Sequence, residues 1–133
     1  MPRELDCHKV NGLNDALKII VMDEPGPGGA HHDYAITFHD EKVGYERSPI
    51  SERHGRNCII SFQKGPIAEN GVNGISNESL LAIVEDRLLC FQNGPYGCED
   101  NRIALEHVRD AIEALHKRTR ERVARGVEGT SAK

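Results

Sequence analysis

Apolar positions along the chain change their period once. Residues 16–22 form an aliphatic, β-branched run that reads as a buried strand, and Pro25-Gly-Pro-Gly-Gly29 must break it. Asp33-Tyr-Ala-Ile-Thr-Phe38 alternates in strand fashion, and Asn57-Cys-Ile-Ile-Ser-Phe-Gln63 is a third strand. Lys42-Val-Gly-Tyr45 is a candidate partner strand, and residues 46–56 read as a loop. Gln63-Lys-Gly-Pro66 and Gly71-Val-Asn-Gly74 supply turns, with room for a short strand between them. This half predicts an antiparallel sheet over about residues 14–75.

At Ser76-Asn77 the period becomes helical. Ser or Asn can cap a helix, and Glu78 suits its positive end. Leu80, Leu81, Val84, Leu88 and Phe91 make the apolar stripe, with Glu85, Asp86 and Arg87 turned away. Gly94-Pro95 ends this helix, at about residue 93, because Gly tolerates a left-handed cap and Pro cannot continue the ladder. A second helix is expected over about residues 100–125, with Glu99 or Asp100 near its cap and Gly126 as its stop. The short connection makes the two antiparallel neighbours. The expected fold is α+β: one domain, residues 1–133, with an N-terminal antiparallel β-sheet followed by two antiparallel C-terminal α-helices.

The second stripe, Ala104, Val108, Ala111, Leu115, Arg118 and Arg122, runs from apolar residues into two guanidiniums. An arginine cannot discharge itself by deprotonation and brings five N–H donors, so on such a stripe it calls for an anion. A basic last turn also complements the helix dipole without any ligand, and both readings stand. Charge sharpens the choice. Residues 1–101 hold nine Lys and Arg against sixteen Asp and Glu, whereas residues 102–133 hold eight against five, in a chain of net charge −4. That asymmetry suggests a local anion site; a nucleic-acid binder would usually carry a domain-wide basic excess.

Other chemistry finds little support. Cys7, Cys58, Cys90 and Cys98 share no CxxC spacing and are expected to be reduced, and His31-His32, His39 and His54 match no metal-ligand pattern. No metal or cofactor is expected. Gly26-Pro-Gly-Gly-Ala lacks the GxxxxGK[ST] of a phosphate loop, and no nucleophile elbow is present. The longest apolar run is too short for a transmembrane helix or a signal peptide, which predicts a cytoplasmic protein without membrane association. His31-His32 can be read as an acid–base pair or as a polar loop, and His107 and His116 as solvated helix-surface residues.

Phe91 either closes the first helical stripe or offers a π-face to a base, and Asn101 either stabilises a helix start or reads a base edge. The helical hairpin would bring these two to one end and Arg118 and Arg122 to the other. An ideal helix rises about 25 Å between positions 101 and 118. A small ligand touching all four would need a second subunit.

Several strings in the second half carry a resemblance: Ser61-Phe-Gln-Lys-Gly-Pro-Ile67, Gly71-Val-Asn-Gly74, Asn77-Glu-Ser-Leu-Leu-Ala-Ile-Val84, Asp86-Arg-Leu88, Phe91-Gln92, Glu99-Asp-Asn101 and, most specific, Arg118-Thr-Arg-Glu-Arg-Val-Ala-Arg-Gly-Val-Glu-Gly-Thr130. With Gly29-Ala-His-His-Asp-Tyr-Ala-Ile36 they resemble the first type of phage Thoeris anti-defence sponge. The resemblance implies a non-enzymatic protein that binds cyclic ADP-ribose isomers without cleaving them and so starves an immune effector in the infected bacterial host. It implies ligand contacts at Phe91 and Asn101 and phosphate contacts at Arg118 and Arg122. Cyclic di- or trinucleotides of the CBASS system at separate sites, and dimers assembling into hexamers, are further implications. Residues 43–56 and the first ten residues have no counterpart in the resemblance. A small nucleotide hydrolase using the His31-His32 loop and a nucleic-acid-binding accessory protein are the alternatives.

Overall fold

The computed structural model describes residues 3–38 and 57–130. The expected strand at residues 42–45 and loop at residues 46–56 lie outside them. Within the span read as one domain, contacts cluster into two compact units, residues 1–64 and 65–133.

The first unit is a four-stranded antiparallel meander, β1 (Arg3–Leu5), β2 (Leu17–Val21), β3 (Asp33–Phe38) and β4 (Asn57–Ser61), in the order β1-β2-β3-β4. Helix α1 (Gly12–Ala16) leads directly into β2, and the Asn11 side chain caps it by accepting from the Asn14 N–H at 2.9 Å. Strand β1 was not legible in the sequence. Three residues give too short an alternation to detect, and pairing Arg3 with Val21 and Leu5 with Ile19 makes it a strand. Val21 pairs with Tyr34, and Ile20 with Ala35. Successive residues point to opposite faces, so buried Val21 and buried Ala35 serve opposite sides of the sheet. Tyr34 meets Phe62 edge to face, with ring centroids 5.7 Å apart.

The second unit contains α2 (Ile67–Asn70), α3 (Asn77–Gln92) and α4 (Glu99–Ala124). The short strand expected between the turns at 63–66 and 71–74 is instead α2. Pro66 presets its start, and Gly71, at φ +69°, closes it with its N–H on the Ile67 carbonyl. Ser76 caps α3 in a reciprocal box with Ser79, each side chain accepting from the other's backbone N–H. Helix α4 is capped by Cys98, whose Sγ accepts from the Asn101 N–H at 3.5 Å, while Glu99 and Asp100 occupy its first turn. At its C-terminus Gly126, at φ +73°, donates to Val123 and Val127 donates to Arg122, which is a complete Schellman motif.

Helices α3 and α4 pack against each other. Glu85, seven residues before the end of α3, meets Arg109, ten residues into α4, at 3.5 Å, which fixes an antiparallel hairpin. The half-covered positions on α3 are Glu78, Leu81, Glu85, Leu88 and Gln92, together with Leu80. The stripe facing α4 therefore includes Glu85, expected to turn away, and leaves Val84 and Phe91 uncovered. Helix α3 is apolar on more than one side and a single partner helix covers only one of them.

On α4 the covered face is Asn101, Ala104, Leu105, Val108, Ala111, Ile112, Leu115, Thr119 and Arg122, with Leu105 buried. The step after Leu115 is four residues, to Thr119, so Arg118 leaves the stripe and is exposed. Gly94 also differs from expectation. It does not adopt positive φ. A Cβ there would lie 3.3 Å from the Cys90 carbonyl oxygen, so its role is close approach to the helix end. Among the described residues no helix is long and apolar enough to cross a membrane.

Candidate ligand-binding site

The hairpin brings Phe91 and Asn101 to its loop end. Phe91 is the penultimate residue of α3, and Asn101 the third of α4. Asn101 is half-buried on the face toward α3, and Phe91 is 41% exposed. The Arg87 guanidinium lies 5.7 Å from the Phe91 ring centroid. The connection between the helices is pinned: Gly94 N–H donates to the Phe91 carbonyl at 3.1 Å, and Cys98 N–H to Gln92 Oε1 at 2.9 Å. Beside it, Arg102 forms ion pairs with Glu99 and Glu106 on α4. The side-chain hydrogen bond to Glu99 and the charge of Glu106 raise its pKa, and the same bond to Arg102 lowers that of Glu99. These carboxylates leave Arg102 committed as a cation partner within its own helix.

Arg118 and Arg122 sit at the opposite end, one turn apart. Their environments differ sharply. Arg118 projects from an exposed position. The Arg122 side chain is only 11% exposed, and its fork is taken by the C-terminal segment. Nε donates to Glu128 Oε2 at 3.1 Å, and Nη2 to the carbonyls of Val127 at 2.9 Å and Thr130 at 3.0 Å. That segment in turn anchors α2, because Ala68 N–H donates to the Gly129 carbonyl at 2.9 Å. A Cβ on Gly129 would lie 2.9 Å from Ile67 Cγ1, so the two chain segments touch closely. The anion-hungry arginine of the helical stripe thus has an internal carboxylate and two carbonyls, a role that stripe spacing alone could not reveal.

The His31-His32 loop is organised around Asp23. Its carboxylate accepts the backbone N–H of His32 at 3.0 and 3.1 Å and of Asp33 at 3.1 Å. His31 Nδ1 lies 2.6 Å from the Asp23 carbonyl, and His32 Nδ1 3.7 Å from Asp23 Oδ2. Desolvation pushes the Asp23 carboxyl up, but the Asp33 and His32 amides and the two imidazoles outweigh it, so its pKa lies below the ordinary value. A Cβ on Gly26 would fall 2.6 Å from His32 Cε1, so the ring packs directly on the turn. Every one of these contacts tightens the β2–β3 connection. The carboxylate organising the loop had a sequence signal, an Asp one residue beyond the β2 run, but no spacing rule distinguishes it. His107 and His116 are exposed on α4. The four cysteines are free, and among the described residues no His, Cys, Asp and Glu cluster could hold a metal ion.

Comparison with known proteins places this geometry in a lineage. Thoeris anti-defense 1 of Bacillus phage SBSphiJ7 is 40% identical over 100 residues, covering 71% of this chain and 70% of that protein. Residues 54–120 match the family described as Acb2/Tad1, hairpin domain. The matched span contains Phe91, Asn101 and Arg118 and stops short of Arg122 and the segment it holds. From residue 77 onward that span forms the helical hairpin with Phe91 and Asn101 at its loop end, and the chain belongs to the Acb2/Tad1 family.

Proposed function

We propose that this protein is a phage anti-defence sponge that captures cyclic ADP-ribose isomers and holds them without cleavage, with Phe91 stacking on the base, Asn101 reading its edge, and Arg118 and Arg122 engaging phosphates. The observation that carries this reading is the segregation of aromatic and amide from the arginine pair at opposite ends of a hairpin belonging to an anti-defence family. A pyrophosphate-bearing ligand supplies both chemistries. Adenine stacking contributes about 1–3 kcal/mol and each arginine adds charge-assisted hydrogen bonds. A few such contacts, buried together, suffice for nanomolar capture, roughly −12 kcal/mol.

The separation of the two ends calls for a second copy, with the Phe91 end of one hairpin meeting the Arg118 end of another. Exposed Ile83, Val84 and Val123 leave apolar surface on both helices for such contacts. Dimers built this way, associating further into hexamers and taking cyclic di- or trinucleotides of the CBASS system at separate sites, complete the proposal. The place of action is the cytoplasm of the infected host.

The decisive experiment incubates the protein with cyclic ADP-ribose isomers, denatures it and analyses the released nucleotide. Intact recovery in proportion to protein is expected. Linearised product with turnover would instead support the His31-His32 hydrolase reading, and DNA retention with a steep salt slope and no nucleotide capture would support an accessory nucleic-acid binder.

A further inference from the structure

The chain has three Tyr, three Phe and no Trp, and the described aromatic contacts separate into two groups. Tyr34 and Phe62 pack together in the first unit. Phe91 and Tyr96 do the opposite: they are 41% and 75% exposed, and both line one open hollow of about 410 Å³ at the end of α3, together with Asp86, Arg87, Cys90 and Pro95. Large rings left in water forgo the transfer free energy of burial. Two of them in one concavity suit a flat ligand, and Arg87, which shares the lining with the Asp86 carboxylate, supplies a cation on the Phe91 side for an anionic group of that ligand.

The hollow is built on fixed backbone. Asn93 N–H donates to Leu89 and Gly94 N–H to Phe91, while Cys98 N–H reaches back to the Gln92 side chain. A Cβ on Gly97 would lie 3.0 Å from the Gln92 carbonyl oxygen, so the loop folds tightly against the helix end and restricts where Tyr96 can stand. Arg87 is four residues before Phe91, hence on the same side of α3, and its guanidinium covers the Phe91 ring. None of the ion pairs among the described residues includes Arg87.

We propose that Tyr96 and Arg87 are specificity-determining contacts of the nucleotide site: Tyr96 gives the base on Phe91 a second aromatic wall, and Arg87 exchanges the Phe91 ring for a ligand phosphate. This rests on the reading of Phe91 as the base-stacking residue. A neutral ring entering the hollow displaces the guanidinium and returns nothing to it. A nucleotide returns a phosphate, whose hydrogen bonds to Arg are stronger than those of a neutral acceptor and matched to its planar fork. The exchange selects nucleotides over nucleosides.

Full-length protein titrated with cyclic ADP-ribose and its linkage isomers, followed by calorimetry and tyrosine emission, tests this. The absence of Trp leaves tyrosine as the emitter. Tyr96→Ala is expected to weaken binding about tenfold, the scale of one lost stacking contact. Tyr96→Phe keeps the ring and should retain affinity while losing most of the ligand-induced change in emission. Arg87→Gln should weaken binding about fivefold and flatten its salt dependence, with Arg87→Lys recovering part of both. Unchanged affinity in Tyr96→Ala or in Arg87→Gln overturns the proposal. Loss of binding in Phe91→Ala alongside that result confines the failure to these two residues, whereas a wild-type protein that binds no isomer overturns the site reading with it.

Discussion

Arg122 Nε donates to Glu128 Oε2 at 3.1 Å across the Schellman turn that ends α4, and the same guanidinium holds the Val127 and Thr130 carbonyls. Arg122 is therefore a fastening of the second unit before it is anything else. Removing it takes the guanidinium from the Thr130 carbonyl and from Glu128, leaves the Val127 carbonyl to the Thr130 N–H alone of the backbone donors, and loosens the segment that anchors α2.

Arg122 and Arg118 are thus expected to separate in mutagenesis. Arg122→Ala should cost about 2 kcal/mol, the scale of hydrogen bonds involving a charged group, and lower Tm by several degrees. Arg118→Ala, at an exposed position, should stay within about 0.5 kcal/mol of wild type. On the proposed function both weaken messenger capture at least about tenfold, or ~1.4 kcal/mol. Calorimetric melts and ligand titrations on the same variants check this, and unchanged capture in Arg118→Ala would remove the phosphate assignment.

Glu128 sets the terms on which Arg122 can take a phosphate. It is the carboxylate already seated on the guanidinium, about 40% exposed and so only weakly stabilising as an ion pair. Glu128→Gln keeps the shape and removes the competing charge. Messenger affinity should rise about two- to fivefold as electrostatic competition falls, with Tm changed little. Weaker binding in Glu128→Gln would show that the carboxylate positions Arg122 for the ligand and does not compete with it.

How much of this was readable follows from what each signal encodes. The two long helices announce themselves through a sustained 3.6-residue period and turn residues at both ends, and the antiparallel sheet through short alternating or β-branched runs. The fold class follows from those alone. Signals two or three residues long did not carry: β1 is a strand by pairing, α2 by its Pro66 start and Gly71 closure, and the α4 cap falls to Cys98 ahead of the better-qualified Asp100. For the site, Phe91 and Asn101 at one end and the arginines at the other were legible as positions on helices. Spacing alone puts Arg118 on the covered stripe because steps of three and four residues are equally helical after Leu115, whereas packing covers Thr119 and leaves Arg118 exposed. The tail that occupies Arg122 was recognisable only as a string, since no periodicity encodes a segment that folds back onto the helix it follows.

The α3 start offers a control in which sequence and structure agree. Ser76 and Ser79 satisfy each other's backbone amides. Ser76→Ala should cost about 1 kcal/mol and leave messenger affinity unchanged: the cap lies at the Arg118 end of the antiparallel hairpin, but neither Ser76 nor Ser79 is among the proposed ligand contacts. Guanidinium melts read the first quantity and titration the second; an affinity loss comparable to that of Arg118→Ala would place the N-terminus of α3 in the site.

The first unit should be acid-sensitive through Asp23. Its folded pKa lies below the ordinary 3.8 because amides of His32 and Asp33 and the neighbouring imidazoles stabilise the carboxylate against its desolvation. Asp33 is lowered too, chiefly by its hydrogen bond from Lys64 at 2.8 Å. For a depressed carboxylate the sign is fixed: the stabilisation is complete above the unfolded pKa and disappears as pH falls through the folded one. Unfolding should therefore become easier below about pH 4, with little dependence on these groups between pH 5 and 8. Asp23→Asn keeps two acceptor lone pairs but loses the charge, so it should be less stable than wild type at pH 7 and converge toward it by about pH 3. Melting curves of both proteins across pH 3–7 measure the difference. A gap that stays constant down to pH 3 would mean that Asp23 acts through its shape in the β2–β3 turn and not through its ionisation.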